Sequence, residues 1–240
     1  MMRNVWENPF ISHECAHFGI EKAPLDTSIY ETYAQCNEDL IVEGVLRALM
    51  QRCGRSMESI RYIEIGANHP IQTNSTYLLY KIYNASGVLV EAIPRLADNL
   101  RKIRPRDTVV NCAITATHAE TVTFHVHEKN ELSSVNAEHI ARFYTHGGKE
   151  KIIETITCPN MHINDFMKQY GAGPVDYLSI DIEGLDAEVI AAMDQVFAPT
   201  ILQCEHSGRT DMLMALMKER GYNLLAITDV NLLFSRAGVI

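Results

Sequence analysis

Along the chain, short apolar runs ending at a glycine or a carboxylate alternate with stretches whose apolar positions recur every three or four residues. Arg61-Tyr62-Ile63-Glu64-Ile65-Gly66 predicts a strand buried on both faces, and Gly87-Val88-Leu89-Val90-Glu91 predicts a second, after a helix over about 73–84. A helix over about 95–103 follows, with Pro94 where a first helical turn tolerates it, then a strand over 107–112. Thr121–His127 alternates like a half-buried strand. The pattern resumes as a helix near 162–170, a strand at Val175–Asp181, a helix over 185–196, a strand over 200–205, a helix over 209–220 and paired apolar runs at 222–228 and 230–234. Upstream, Leu40, Ile41, Val45, Leu46, Leu49 and Met50 fall at helical spacing between Asn37 and Cys53, and Gly54 supplies the terminator. Strands alternating with helices over 61–220 predict right-handed crossovers and a mostly parallel, Rossmann-like α/β sheet, and the last two runs predict an antiparallel edge hairpin.

The expected organisation is an N-terminal arm and helix, 1–58, packed on a single domain, 59–240. Within that domain the polar stretch 129–158, containing Tyr144, His146 and Gly147-Gly148, reads as an inserted lid over the acceptor or as a surface loop. With 240 residues, 47% of them hydrophobic, the chain can bury one sizeable core, and two full domains are not expected. A net charge of −9 gives no general attraction to nucleic acid or an anionic membrane. A local basic patch is possible, for instance Arg95, Arg101, Lys102, Arg104 and Arg106, and is read as a solvated helix face with its following turn. Six scattered cysteines without a C-x-x-C pair read as reduced thiols. The N-terminus lacks an apolar signal core and no apolar span reaches about 18 residues, so a cytoplasmic protein without stable membrane insertion is expected.

In a sheet of this kind the ligand lies beyond the carboxyl ends of the strands. Those ends carry Glu64 to Asn68, Glu91 and Ala92, Asn111 to Ala113, Asp181 to Gly184, and Glu205 to Ser207. The turn Gly66-Ala67-Asn68-His69-Pro70 has one glycine and a proline without an N–H, which argues against a dinucleotide pyrophosphate, and no P-loop pattern occurs. An acid-rich rim suits the sulfonium and ammonium of S-adenosylmethionine. His13-Glu14-Cys15-Ala16-His17 matches the H-E-x-x-H zinc pattern, but it sits between Pro9 and Gly19 without helical periodicity, so a protease is not expected.

The chain resembles the FkbM-type methyltransferases. The resemblance is carried by Ala34-Gln35-Cys36-Asn37-Glu38-Asp39, Tyr62-Ile63-Glu64-Ile65-Gly66-Ala67-Asn68, Gly87-Val88-Leu89-Val90-Glu91-Ala92, Val110-Asn111-Cys112-Ala113-Ile114 and Ser179-Ile180-Asp181-Ile182-Glu183-Gly184. Glu64 stands where relatives usually have Asp, Ala92-Ile93 replaces a Pro-x pairing, and His69-Pro70 replaces a second glycine. The resemblance implies a seven-stranded class I methyltransferase sheet holding S-adenosylmethionine. It places the Gly66-Ala67 turn close to the cofactor, Glu91 and Ala92 at the ribose, Cys112 and Ala113 beside the adenine, Glu64 or Asn68 at the methionine moiety, and Asp181 among the cofactor-binding residues. It further implies O-methylation of a hydroxyl on a sugar, a glycan or a natural-product intermediate. The rivals are N-methylation of an amino sugar or amide, and a non-catalytic cofactor-binding module; a homo-oligomer is compatible with either.

Two routes are open for the acceptor proton. His206 acts as general base, or Asp181, Glu205 and His206 ligate Mg2+ or another divalent cation that acidifies the hydroxyl. A third reading makes Asp181 and Glu183 caps for the helix beginning near Leu185.

Overall fold

The computed structural model describes residues 3–4, 31–142 and 152–239. The His13–His17 motif, and Tyr144, His146, Gly147 and Gly148, lie outside the described residues.

Short strands β1 (Arg3–Asn4) and β2 (Glu31–Thr32) pair antiparallel ahead of helix α1 (Glu38–Cys53), which closes on Gly54. The core then runs β3 (Arg61–Ile65), α2 (Tyr77–Tyr83), β4 (Ser86–Val90), α3 (Pro94–Ile103) and β5 (Thr108–Val110). A second group follows: β6 (Ala113–Thr115), β7 (Thr121–His127), α4 (Ala137–Arg142), β8 (Ile152–His162) and α5 (Ile163–Tyr170). The chain closes with β9 (Tyr177–Ile180), α6 (Asp186–Ala192), β10 (Ile201–Glu205), α7 (Thr210–Glu219), β11 (Tyr222–Ile227) and β12 (Asn231–Arg236).

The main sheet has seven strands in the order β11-β12-β10-β9-β3-β4-β5. All run parallel except β12, which inserts between β10 and β11 and pairs antiparallel with both. The expected hairpin is present at the edge, with its second strand on the inside.

Each central strand is buried on both faces, which is why it reads as an unbroken apolar run rather than an alternation. Ile63, Leu178 and Leu202 point to one face and pack with α5, α6 and α7 through Phe166, Ile190 and Met217. Tyr62, Tyr177 and Ile201 point to the other and pack with α1, α2 and α3 through Leu46, Leu79 and Leu100. The result is a three-layer α/β/α sandwich. No helix of the described residues is long and apolar enough to cross a membrane.

The polar stretch after β7 is built differently from an open loop. Residues 152–158 belong to the long strand β8, which pairs antiparallel with β7 and parallel with β6 in a second, three-stranded sheet. Phe124, Val126 and Cys158 pack with Ala113 of β6 and against Ala92 and Ile93, so the small sheet stands over the carboxyl end of β4.

The basic cluster breaks apart on folding. Arg104 is fully buried: it pairs with Asp107 at 2.7 Å and donates to the Pro70 carbonyl, Asn74 Oδ1, Tyr62 Oη and Thr76 Oγ1. Arg106 lies over the Tyr80 ring. An ion pair with no exposure is kept by the completeness of its hydrogen bonding, and here those bonds tie the 70–76 turn to the floor beneath the strand ends.

Candidate functional site

At the carboxyl edge of the sheet is a cavity of about 250 Å3. Its walls come from the turn after β3 (Gly66, Asn68, Thr73), the end of β4 (Glu91, Ala92, Ile93), the crossing to the second sheet (Cys112, Ala113, Ile114), the 130–135 segment, the end of β9 (Asp181 to Glu183) and the ends of β10 and β12 (Glu205, Asn231), with Gln35 from ahead of α1.

Most of the residues expected from the sequence converge here. Gly66, Asn68, Glu91, Ala92, Cys112, Ala113, Asp181 and Glu205 all face the cavity. Gly66 adopts φ +88°, and a Cβ there would overlap the Asp181 carbonyl oxygen. The missing side chain lets the ends of β3 and β9 close together as well as leaving room at the turn.

Glu91 is buried, and its carboxylate is held at both oxygens: Asn68 N–H donates to Oε2 and Ile93 N–H to Oε1, each at 2.8 Å. Burial nevertheless outweighs these donors and raises its pKa to about 7. Near it Cys112, Ala113, Ile114, Phe124, Leu132 and Val135 make an apolar pole.

The opposite pole is acidic. Burial, then Glu183, Glu205, Asp186 and Glu64, hold the Asp181 carboxyl well above the usual range. Burial also raises Glu183, and burial with Glu205 pushes Asp186 up to about 8. So many carboxyl groups in a dry corner cannot all ionise without a cation among them.

Three expected residues are placed elsewhere. Glu64 is turned from the cavity: its carboxylate accepts from Ser75 N–H at 2.8 Å and Thr76 O–H at 2.6 Å, so it shapes the turn behind Gly66 rather than reaching a ligand. Ala67 is buried, and its carbonyl is taken by Asn74. His206 is no wall of the cavity either. Its Nε2 lies 3.0 Å from the Asp229 carbonyl, which can only accept, so that nitrogen carries the proton and is committed to the β11–β12 turn. Among the described residues, Asp181, Glu205 and His206 do not form a ligand group; His139 joins Glu183 and Glu205 instead. Nor do Asp181 and Glu183 cap a helix: α6 starts at Asp186 with Leu185 in the capping position.

Residues beyond those expected also contribute. Gln35 and Asn231 reach the cavity from opposite ends of the chain, and the Arg104–Asn74–Thr76 network supports it from below. The Gln35 signal was present, since it lies in the segment that carries the family resemblance. Asn231 had none, because its place depends on β12 inserting beside β10.

A parallel sheet with its single reversed strand between the last two, and an acid-rimmed cavity at its carboxyl edge, define an S-adenosylmethionine-dependent methyltransferase. The Methyltransferase FkbM domain pattern matches residues 64–224, and the chain belongs to the FkbM methyltransferase family. No curated protein sequence matches it. Similar solved structures include the SAH-bound methyltransferase of Podospora anserina (12% identity, 97% of this chain and 92% of that one, TM-score 0.47). Others are a putative caffeoyl-CoA O-methyltransferase from Staphylococcus aureus (10%, 95% and 91%, 0.44) and the O-methyltransferase from Bacillus cereus in complex with SAH (11%, 97% and 100%, 0.39).

Proposed function

We propose that the protein transfers a methyl group from S-adenosylmethionine to a hydroxyl of a sugar, a glycan or a natural-product intermediate. The observation that carries the reading is the Glu91 carboxylate, fixed by two backbone amides at the end of β4 with an apolar pole beside it and an acidic pole across the cavity. The donor set fits the cofactor. Glu91 would accept from the ribose diol, the Cys112–Phe124 pole would take the adenine ring, and the acidic pole would balance the positive charge. When bound, S-adenosylmethionine supplies a methyl carbon activated by its sulfonium.

The chain's own work is alignment, exclusion of water and removal of one proton. The small sheet and the 130–135 segment wall the cavity off. Gln35, Thr73, Asn130 and Asn231 give it neutral hydrogen-bonding groups, which suits an acceptor with several hydroxyls and not a phosphate backbone. Asp181 lines the cavity between the Gly66 turn and the Glu183–Glu205 corner, and the positive charge of a bound sulfonium would favour the ionised carboxylate that takes the proton.

Asp181→Asn is therefore expected to lower turnover by roughly 100-fold or more while changing cofactor affinity by less than about fivefold. Calorimetry with S-adenosylmethionine, alongside product detection by mass spectrometry across a panel of sugar acceptors, reads both quantities. Equal losses would move Asp181 into the cofactor pocket, and absence of cofactor binding would leave a non-catalytic module.

The Glu91 carboxyl also sets a pH dependence. Only its ionised form accepts both hydroxyls, so affinity is expected to level off above pH 8 and to fall below pH 7 by up to about tenfold per unit. Stability of the ligand-free protein carries the opposite sign. The folded carboxyl binds a proton that the unfolded chain, at about 4.3, has released, so this contribution is lost as pH rises from roughly 4 to 7. Calorimetric titrations at pH 6 and pH 8 test the first sign and melting curves in the same buffers test the second.

A further inference from the structure

We propose that His139, Glu183 and Glu205 form a divalent-cation site at the acidic pole of the cavity, suited to Mn2+ or a similar ion. One donor atom from each residue lies within 4.8 Å of the other two. They come from three separate elements: α4, the turn after β9 and the end of β10. One imidazole with two carboxylates favours a first-row ion such as Mn2+ or Zn2+ over Mg2+. Three protein ligands leave coordination positions open toward the cavity, as catalytic metal sites do.

Two further observations point to a missing positive partner. Glu205 Oε2 is buried without a hydrogen-bond partner. Asn231, 5% exposed, is paired in register with Glu205 across β10 and β12, and it too lines the cavity. Its Nδ2 donates to Glu38 Oε1 at 2.9 Å, which fixes the amide orientation and leaves Oδ1 buried and unpaired. A buried oxygen without a donor is destabilising, and a cation beside both would remove that penalty.

The local backbone is shaped around the group. Glu183 and Gly184 take φ +53° and +92°, and Ser134 Oγ donates to the Glu183 carbonyl at 2.8 Å. A Cβ on Gly184 would overlap the His139 imidazole, so the glycine is what admits the histidine to within 3.1 Å of Glu183. The strained turn and the histidine from the insertion are thus parts of one construction. The role of the ion rests on the methyl-transfer reading: it would fix an acceptor oxygen and make its hydroxyl more acidic.

The test is titration of Mn2+ into the full-length protein without cofactor, followed by electron paramagnetic resonance, with S-adenosylmethionine calorimetry run separately in EDTA. One saturable Mn2+ is expected, weakened at least about tenfold by Glu205→Gln and by His139→Gln, with melting curves of both variants like that of the parent. No saturable binding would overturn the site. So would binding that survives both substitutions and disappears in His118→Ala, because the ion would then sit on the exposed His118–His162–Asp165 group. Cofactor bound in EDTA with no Mn2+ site removes the ion alone. An Mn2+ site without cofactor binding sustains the ion and removes the methyl-transfer reading.

Discussion

Glu91→Ala is expected to weaken S-adenosylmethionine binding by roughly 100- to 1000-fold and to leave the melting temperature within a few degrees of the parent. The Glu91 oxygens accept backbone N–H groups of Asn68 and Ile93, and the side chain lines the cavity. Two charge-assisted bonds to a diol at about 1.5–3 kcal/mol each, less the cost of ordering the ligand, account for a loss of about 3–4 kcal/mol. The fold should tolerate the change because this carboxylate is not a net stabiliser: burial raises its pKa to about 7, so its ionised form is costly in the folded protein. The amides it releases open onto the cavity, where water can satisfy them. Calorimetry at pH 8 and a melting curve read the two quantities. Unchanged affinity would remove Glu91 from the ribose, and a collapse of stability would make its role structural.

The residues readable from the sequence are those whose position is set by strand ends. Gly66, Glu91 and Asp181 follow apolar runs that can only be central strands, and a parallel sheet brings all such ends to one edge. His139 was not readable. It sits in a polar stretch without period, and its approach to Glu183 depends on a glycine 45 positions away in the chain and on the folding of the second sheet. Strand β8 was hidden for a related reason. Ile152, Ile153, Thr155, Ile156 and Thr157 are β-branched, a usable signal, but interleaved Glu154 and Asn160 make the segment look like loop. Arg104 misled by its charge, since nothing local shows that Asp107, Tyr62 and Asn74 will enclose it. His206 follows the last ladder residue of β10, where the strand no longer fixes the side chain, and its direction is set by the β11–β12 turn at Asp229, which nothing local in the sequence announces.

Gly66→Ala is expected to cost more than about 4 kcal/mol, a large part of the 5–15 kcal/mol by which a domain is usually stable. Two penalties combine. The residue sits at φ +88°, where an L side chain costs about 1–2 kcal/mol. The added Cβ would also lie 2.9 Å from the Asp181 carbonyl carbon and overlap its oxygen, and neither atom can swing aside as a side chain would. Asp181 N–H is bonded to the Ile65 carbonyl at 2.9 Å and Gly66 N–H to the Val90 carbonyl at 3.0 Å, so relief requires the ladder between β3 and its neighbours to open. At about 2–4 °C per kcal/mol for a chain of this size, the melting temperature should fall by roughly 8–16 °C. Gly54→Ala is the control: Gly54 also has positive φ, +64°, but nothing lies within 4 Å of its added Cβ, so strain alone should cost about 1–2 kcal/mol. If the two variants melt together, the junction of β3 and β9 has slack, and the bare turn at Gly66 is needed by the ligand and not by the sheet.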